Sequence, residues 1–541
     1  MNVTLTEYYY CFFMHYRLSA DTASGAPDRS HYIAVEAWLT DIGNQTEVEL
    51  QLPAWRPGRY ELQQFAKNIQ RFEVLDGEGN PLRFHKITKD RWRVQTNGAT
   101  KLVALYNYYA LLPTPNQLNA GSSFISDTLL YVNPVNLCLY AEGRINEPCT
   151  LELAIPDGWT IACGLKQTAP KLCWAADFYE LVDCPVIAAP VLQHIEYEVK
   201  GVPFHVWVQG GRRTDGNPTF DAARVKQDFR RFSEKQLNLY GEFPEQAYHF
   251  LTLILPVPYY HGVEHRNSTV LVLGPNDEGE GLYQDLLGVS SHELFHAWNI
   301  IRIRPAELLP YDFTKENYFP TCFVAEGVTT YYGDLMLRQS GVFTDEAYLK
   351  ELQVLFKRHF ENNGRAFQSL VESSWDLWLD GYDKGVPDRK VSVYHKGAIA
   401  ALILDLHIRR LTDHARSLDD VMQRMWQRFG KPFVGYTLAD YQLITEEVAG
   451  ESLNWYYDLC IFGSQPLEAK LNEYLDWVGL QVAYEEPSAD QPGGIRLVEI
   501  DDADNRQQRT KWFGGPLTEP SHEGQAELVP EEKLGKNVVA K

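Results

Sequence analysis

The apolar residues of this chain change their period partway along, and that change constrains the fold more than any other feature. Up to about residue 190 they alternate with polar residues, as in "HYIAVEAWLT", "TEVELQLPAW", "RWRVQTNGATKLVALYNYYA" and "CTLELAIPDGW". A period of two places alternate side chains on opposite faces of a strand, and turn signals such as "DGEGNP" and "PDGW" divide the run. No long helical period interrupts it, so residues 1–190 are expected to form a β-sandwich-like domain. Strands continue through "IEYEVKGVPFHVWVQGG" and "HFLTLILPVP", now mixed with the helical spacing of "TFDAARVKQDFRRFSEKQLNLYG" and its terminal Gly. From Leu282 to about Gly463 the period is mostly helical, so residues 191–465 read as an α+β module. After Pro466 the pattern changes again. "WVGLQVAYEE" and "GGIRLVEIDD" read as strands, and the last thirty-odd residues, roughly, are polar and aperiodic, the composition of a loosely ordered tail. At 541 residues the chain exceeds one ordinary core, and the expected class is multidomain α+β.

Charge narrows the range of partners. The formal net charge is −22 and no Lys/Arg-rich block stands out, the reverse of what neutralises a phosphate backbone. A nucleic-acid partner is therefore not expected, whereas a negative cleft suits a substrate with a positive group, such as a free amine. The apolar run near the start has no basic segment before it, and no uninterrupted apolar stretch reaches membrane-spanning length. No membrane partner is expected, and a cytoplasmic location follows by default. The eight cysteines are dispersed without a CxxC pair, which reads as reduced, buried thiols.

The chemistry concentrates in "VSSHELFHAWN", Val289 to Asn299. Residues i and i+4 of a helix share a face about 6 Å apart along the axis, so His292 and His296 can offer two imidazoles to one Zn²⁺. Glu293, about 100° round the helix, stands at the edge of that face as general base toward a water that zinc acidifies. As a plain structural helix, two histidines and a glutamate among Leu294, Phe295, Ala297 and Trp298 would be a costly core.

A third protein ligand has three candidates downstream. Glu307 lies in the proline-flanked "RPAELLP" and Glu316 in the polar "DFTKENYFP". Glu326 instead interrupts the apolar run "TCFVAEGVTTYYGDLML", where a buried carboxylate needs a cation. Glu326 is the expected ligand, with Glu316 the alternative.

These motifs carry a resemblance. "HELFHAWN", "RIRP", "FTKENY" and "AEGVTTYYGDL", with "HGVEHRNS" upstream and "YHKG" downstream, resemble the glycyl aminopeptidase family of zinc peptidases, distant relatives of aminopeptidase N. "LPAWRPGRYELQQFAKNIQRFEV" is similar to that family's β domain, so the resemblance spans roughly residues 1 to 465. It implies a thermolysin-like zinc domain with His292, His296 and Glu326 as ligands and Glu293 as base. It also implies that Tyr394 donates a hydrogen bond to the tetrahedral oxyanion, that Glu264 of "GVEH" holds the substrate's α-amine, and that Gly262 lets the backbone approach the peptide. Small first residues, Gly or Ala, follow from the same resemblance. The family usually ends in a PDZ domain. Here "DWVGLQVAYEE" resembles only its beginning, so residues 466–541 are expected to form an incomplete PDZ-like segment.

The expected function is a Zn²⁺-dependent aminopeptidase acting on peptides with a free N-terminus. Its rivals are a zinc endopeptidase, in which Glu264 anchors nothing, and a catalytically silent peptide-binding protein. The intact glutamate of H-E-x-x-H speaks against silence, since a structural zinc site has no use for a base.

Overall fold

The computed structural model describes residues 14–20, 31–110, 121–211, 216–275, 280–380, 382, 386–486, 493–500 and 502–516. The tail expected to be loosely ordered lies almost wholly outside them.

The alternating segments pair into three sheets. In the largest, the strands run in the spatial order Lys166–Ala169, Leu172–Ala175, Cys149–Ala154, Met14–Ala20, Tyr32–Leu39, Leu102–Tyr109, Ile69–Asp76. Tyr32–Leu39 buries every second residue, as its sequence pattern requires. Two four-stranded sheets, one centred on Glu47–Gln51 and Arg91–Gln95, the other on Val186–Ala189 and Leu130–Val132, complete this β-rich half. Its core includes Tyr16, Leu18, Val35, Leu50, Trp92 and Val94.

That core does not stop at the end of the β-rich half. It continues into Tyr311, Phe313, Phe319, Cys322 and Tyr394. The joint is the turn "LPAWRPGRY": Trp55 Nε1 donates to the Asp312 carbonyl at 2.7 Å, and its ring meets Tyr311 and Trp378 edge-on. A completely buried Trp in such a joint commonly contributes about 3–5 kcal/mol relative to Ala. The turn is thereby held against the helices that carry the candidate site.

The second half opens with a five-stranded sheet in the order Gln193–Val199, Val202–Gln209, Tyr248–Ile254, Ser268–Gly274, Tyr259–Glu264. "HGVEH" therefore begins on an edge strand, antiparallel to Ser268–Gly274. The helix Glu280–Phe295 packs beside this edge and buries Leu282, Leu286, Leu287, Val289, Leu294 and Phe295. Trp298, just beyond it, stacks on Tyr240 at 4.8 Å and donates to the Glu242 carbonyl at 3.0 Å. The remaining helices, among them Thr329–Gln339, Asp345–Phe360 and Val393–Leu411, close one large core around it. Among the described residues no helix is long and apolar enough to cross a membrane.

Both strands expected after Pro466 are present, as the antiparallel hairpin Leu480–Glu485 and Gly494–Glu499. Among the described residues no third strand joins them. Leu471, Leu480, Val482 and Trp512 belong to the core of the helical half, and Trp512 Nε1 donates to the Tyr331 hydroxyl at 2.9 Å. The segment is thus packed onto the helical half, whose core it shares.

Candidate active site

His292 lies in the last turn of the helix Glu280–Phe295, and His296 directly follows it. The Asn299 amide still bonds back to the Phe295 carbonyl at 3.0 Å, so the turn continues and the i, i+4 spacing survives. The two Nε2 atoms are 3.1 Å apart, and Oε2 of Glu326 lies 3.6 Å from that of His292 and 3.2 Å from that of His296. Glu326 and not Glu316 stands among the metal-compatible groups, while Glu307 is exposed on a short 3₁₀ turn.

Glu326 does not sit on the regular helix its apolar surroundings imply. Phe323–Val328 is π-helical and only then becomes the α-helix Thr329–Gln339. Such a wide turn re-aims one side chain without ending the helix, and is common at functional sites. Asn299 fixes it in place. Its Nδ2 donates to the carbonyls of Val324 and Ala325 and to Thr329 Oγ1, at 2.8, 3.2 and 3.0 Å, while its own carbonyl accepts from Nδ1 of His296 at 3.0 Å. That bond commits the His296 proton to Nδ1 and leaves the Nε2 lone pair facing His292 and Glu326. The donor set fits a divalent ion: two imidazole nitrogens and a carboxylate converge, with His296 and Glu326 completely buried.

Two more carboxylates stand beside this cluster. One ligand atom each of Glu264, Glu293 and His296 lie within 4.8 Å of one another, and both glutamates are buried. Glu264 ends the edge strand, and His265 follows it, its Nδ1 2.9 Å from Oδ1 of Asp183. Three buried carboxylates thus gather beside the two imidazoles.

Tyr394 enters from a third direction. It is the second residue of the helix Val393–Leu411, whose N-cap Ser392 accepts from the His395 amide. Gly327 and Gly397 let this helix touch the π-helical turn, since a Cβ on Gly327 would lie 2.5 Å from the Gly397 Cα. The Tyr394 hydroxyl is buried with no hydrogen-bond partner among the described residues. Burial first, and then the nearby Glu326 carboxylate, push its pKa well above the usual tyrosine value, so it stays a neutral donor.

The turn from the β-rich half supplies what sequence reasoning missed. Gly58 has φ 76° and passes so close that a Cβ on it would lie 2.8 Å from Oε2 of Glu264. The Tyr60 amide donates to the Tyr382 hydroxyl at 3.4 Å, and both phenols lie in the field of Glu326. The signal was present in "WRPGRY", but nothing local ties that turn to residues more than 200 positions away.

Comparison with known proteins bears on this arrangement. Two family models match the chain, the peptidase M61 N-terminal domain over residues 16–190 and the M61 glycyl aminopeptidase domain over 285–400. The chain belongs to the M61 glycyl aminopeptidase family. The second match contains His292, Glu293, His296, Glu326 and Tyr394, whereas Gly262 and Glu264 fall between the two.

Among solved structures, this M61 peptidase is similar to an aminopeptidase N family protein from Idiomarina loihiensis. That pair shares 27% identity over 90% of this chain and 86% of that one, with a TM-score of 0.80. A two-domain M1 zinc metallopeptidase variant bound to L-arginine shares the fold at 14% identity, with a TM-score of 0.50 over 84% of this chain and 94% of that one. An M1 zinc metallopeptidase from Deinococcus radiodurans aligns at 13% identity over 81% and 90%, with a TM-score of 0.49. No curated protein matches the chain. The family makes it a peptidase, and its architecture is multidomain α+β.

Proposed function

We propose that this M61 peptidase is a zinc aminopeptidase that hydrolyses the first bond of peptides with a free N-terminus. His292, His296 and Glu326 would hold the zinc, which when bound supplies Lewis-acid polarisation of a carbonyl and acidifies water. Glu293 takes the proton of the attacking water and passes it to the leaving amine. Tyr394 donates its hydroxyl proton in a hydrogen bond to the scissile carbonyl oxygen as negative charge develops there. Glu264 accepts charge-assisted hydrogen bonds from the α-ammonium of a peptide lying along the edge strand beside Gly262.

The closeness of Glu264 to the base carries this reading. Their carboxylates lie within 4.8 Å of each other and of His296. In any amino acid the α-nitrogen is about 2.5 Å from the carbonyl carbon of the same residue. An ammonium seated on Glu264 therefore brings the first carbonyl to Glu293, and no later one. An endopeptidase needs room for the chain to continue past this point, where the Gly58 turn lies against Glu264.

A preference for small first residues is supported by the family. The hairpin of Leu480–Glu485 and Gly494–Glu499 we read as part of a PDZ-like segment that packs onto the helical half. The seven described cysteines, all buried and unpaired, fit a cytoplasmic setting.

The deciding experiment compares wild type and Glu264→Ala on free and N-acetylated peptides. Either change alone should strongly reduce kcat/KM, and both together should cost little more, because they delete one interaction. Equal wild-type cleavage of both peptides at internal bonds would make the protein an endopeptidase.

A further inference from the structure

The five-stranded sheet carries a second group of metal-compatible side chains, at the edge opposite to "HGVEH". His194 and Glu196 lie on Gln193–Val199, and His205 on Val202–Gln209. In the antiparallel register His194 faces Trp207 and Glu196 faces His205, so all four project from one face of the sheet. His194 Nε2 is 3.1 Å from His205 Nδ1, the separation also found between the two imidazoles of the active site. One ligand atom from each of His194, Glu196 and His205 lies within 4.8 Å of the others.

Both rings are held from the side. The His194 imidazole stacks on Trp207 at 3.7 Å and 6°, and that of His205 on His249 at 4.7 Å and 23°. Trp207 Nε1 donates to His249 Nδ1 at 3.2 Å, which locks the two supports together. Trp207 also packs against the apolar cluster between this sheet and the β-rich half. His194 and Glu196 are exposed and His205 partly so, leaving the open side to water.

From this geometry we infer that His194, Glu196 and His205 form a second binding site for a divalent transition-metal ion, distinct from the active site. Two imidazoles and one carboxylate suit Zn²⁺, or Ni²⁺ and Cu²⁺ from the same series, and disfavour Mg²⁺ and Ca²⁺. A cross-strand ion fastens the edge strand Gln193–Val199 to its neighbour. Its effect is therefore on the stability of the sheet and not on the turnover chemistry three strands away.

The test is zinc stoichiometry of the full-length protein, by equilibrium dialysis against buffered Zn²⁺ and elemental analysis. Wild type should bind two zinc ions per chain. His194→Ala/His205→Ala and, separately, the exposed change Glu196→Gln should leave one tightly bound ion and normal turnover. The affinity of the second site should fall by more than about a hundredfold, beyond the range of outer-shell changes. A Glu326→Ala protein should retain the second ion, so the measurement does not depend on peptidase activity. Far-UV circular dichroism identifies any variant that fails to fold, in which case Glu196→Gln decides. A wild type that binds a single zinc, or isotherms of Glu196→Gln and the double variant that overlay the wild-type curve, would reduce the cluster to a hydrogen-bonded histidine pair.

Discussion

A Cβ built on Gly262 would lie 2.2 Å from Oε1 of Glu293. The edge strand and the H-E-x-x-H helix are packed so closely that the Glu293 carboxylate occupies the space of the missing side chain. The φ of Gly262 lies outside the left-handed region, so contact and not backbone freedom explains the glycine. The resemblance implied that Gly262 lets the peptide approach. The geometry adds that it makes room for the Glu293 carboxylate.

Gly262→Ala should therefore displace Glu293 while leaving both histidines in place. Displacements near 1 Å commonly cost about a hundredfold in rate. We expect kcat to fall at least that far with full zinc content, measured by peptide turnover and elemental analysis on the same sample. Wild-type kcat in the variant would show that the strand yields to the methyl group without moving the base.

Zinc content should follow Glu326. Glu326→Ala should lose the active-site ion, and Glu316→Ala should keep it. Chelation of the wild type should lower the Tm by several degrees, because a ligand bound only to the folded state stabilises it by mass action, on the order of 2–4 kcal/mol at saturating excess. Loss of the ion in Glu316→Ala instead would move the third ligand to the loop.

Glu293→Gln should keep zinc and fold while turnover all but vanishes. Tyr394→Phe should lower kcat by about a hundredfold or more, as loss of one oxyanion donor commonly does. Matching kcat values for Tyr394→Phe and wild type would remove the tyrosine from the chemistry.

Acid should destabilise the fold through His359. This buried side chain on the helix Asp345–Phe360 has its pKa pushed down to about 3, first by burial and then by the Lys396 charge. A folded-state pKa below the unfolded value means that stability is present above about pH 6.5 and is lost as pH falls toward 3. The loss runs at up to about 1.4 kcal/mol per pH unit. Thermal melts between pH 7 and 4 should show a shallower decline for His359→Leu than for wild type. Parallel curves would place the acid sensitivity elsewhere.

The two hydrophobic periods of the chain were enough to separate a β-rich half from a helical one, because alternation and helical spacing follow from local backbone geometry. The convergence of the i, i+4 histidines with the isolated Glu326 was legible for a related reason. A short-range spacing fixes which side chains share a face, and a carboxylate in an apolar run must find a cation. Other features were settled only by long-range contacts. The π-helical turn that aims Glu326 depends on Asn299, and the approach of Tyr394 depends on Gly327 meeting Gly397 some 70 residues on. The turn at Gly58 reaches Glu264 from a different sheet, and the histidine cluster at His194 and His205 exists only in one strand register. Local patterning specifies which groups are present and which way an element faces. Which groups meet is decided by how elements distant in sequence pack, and no spacing along the chain encodes that directly.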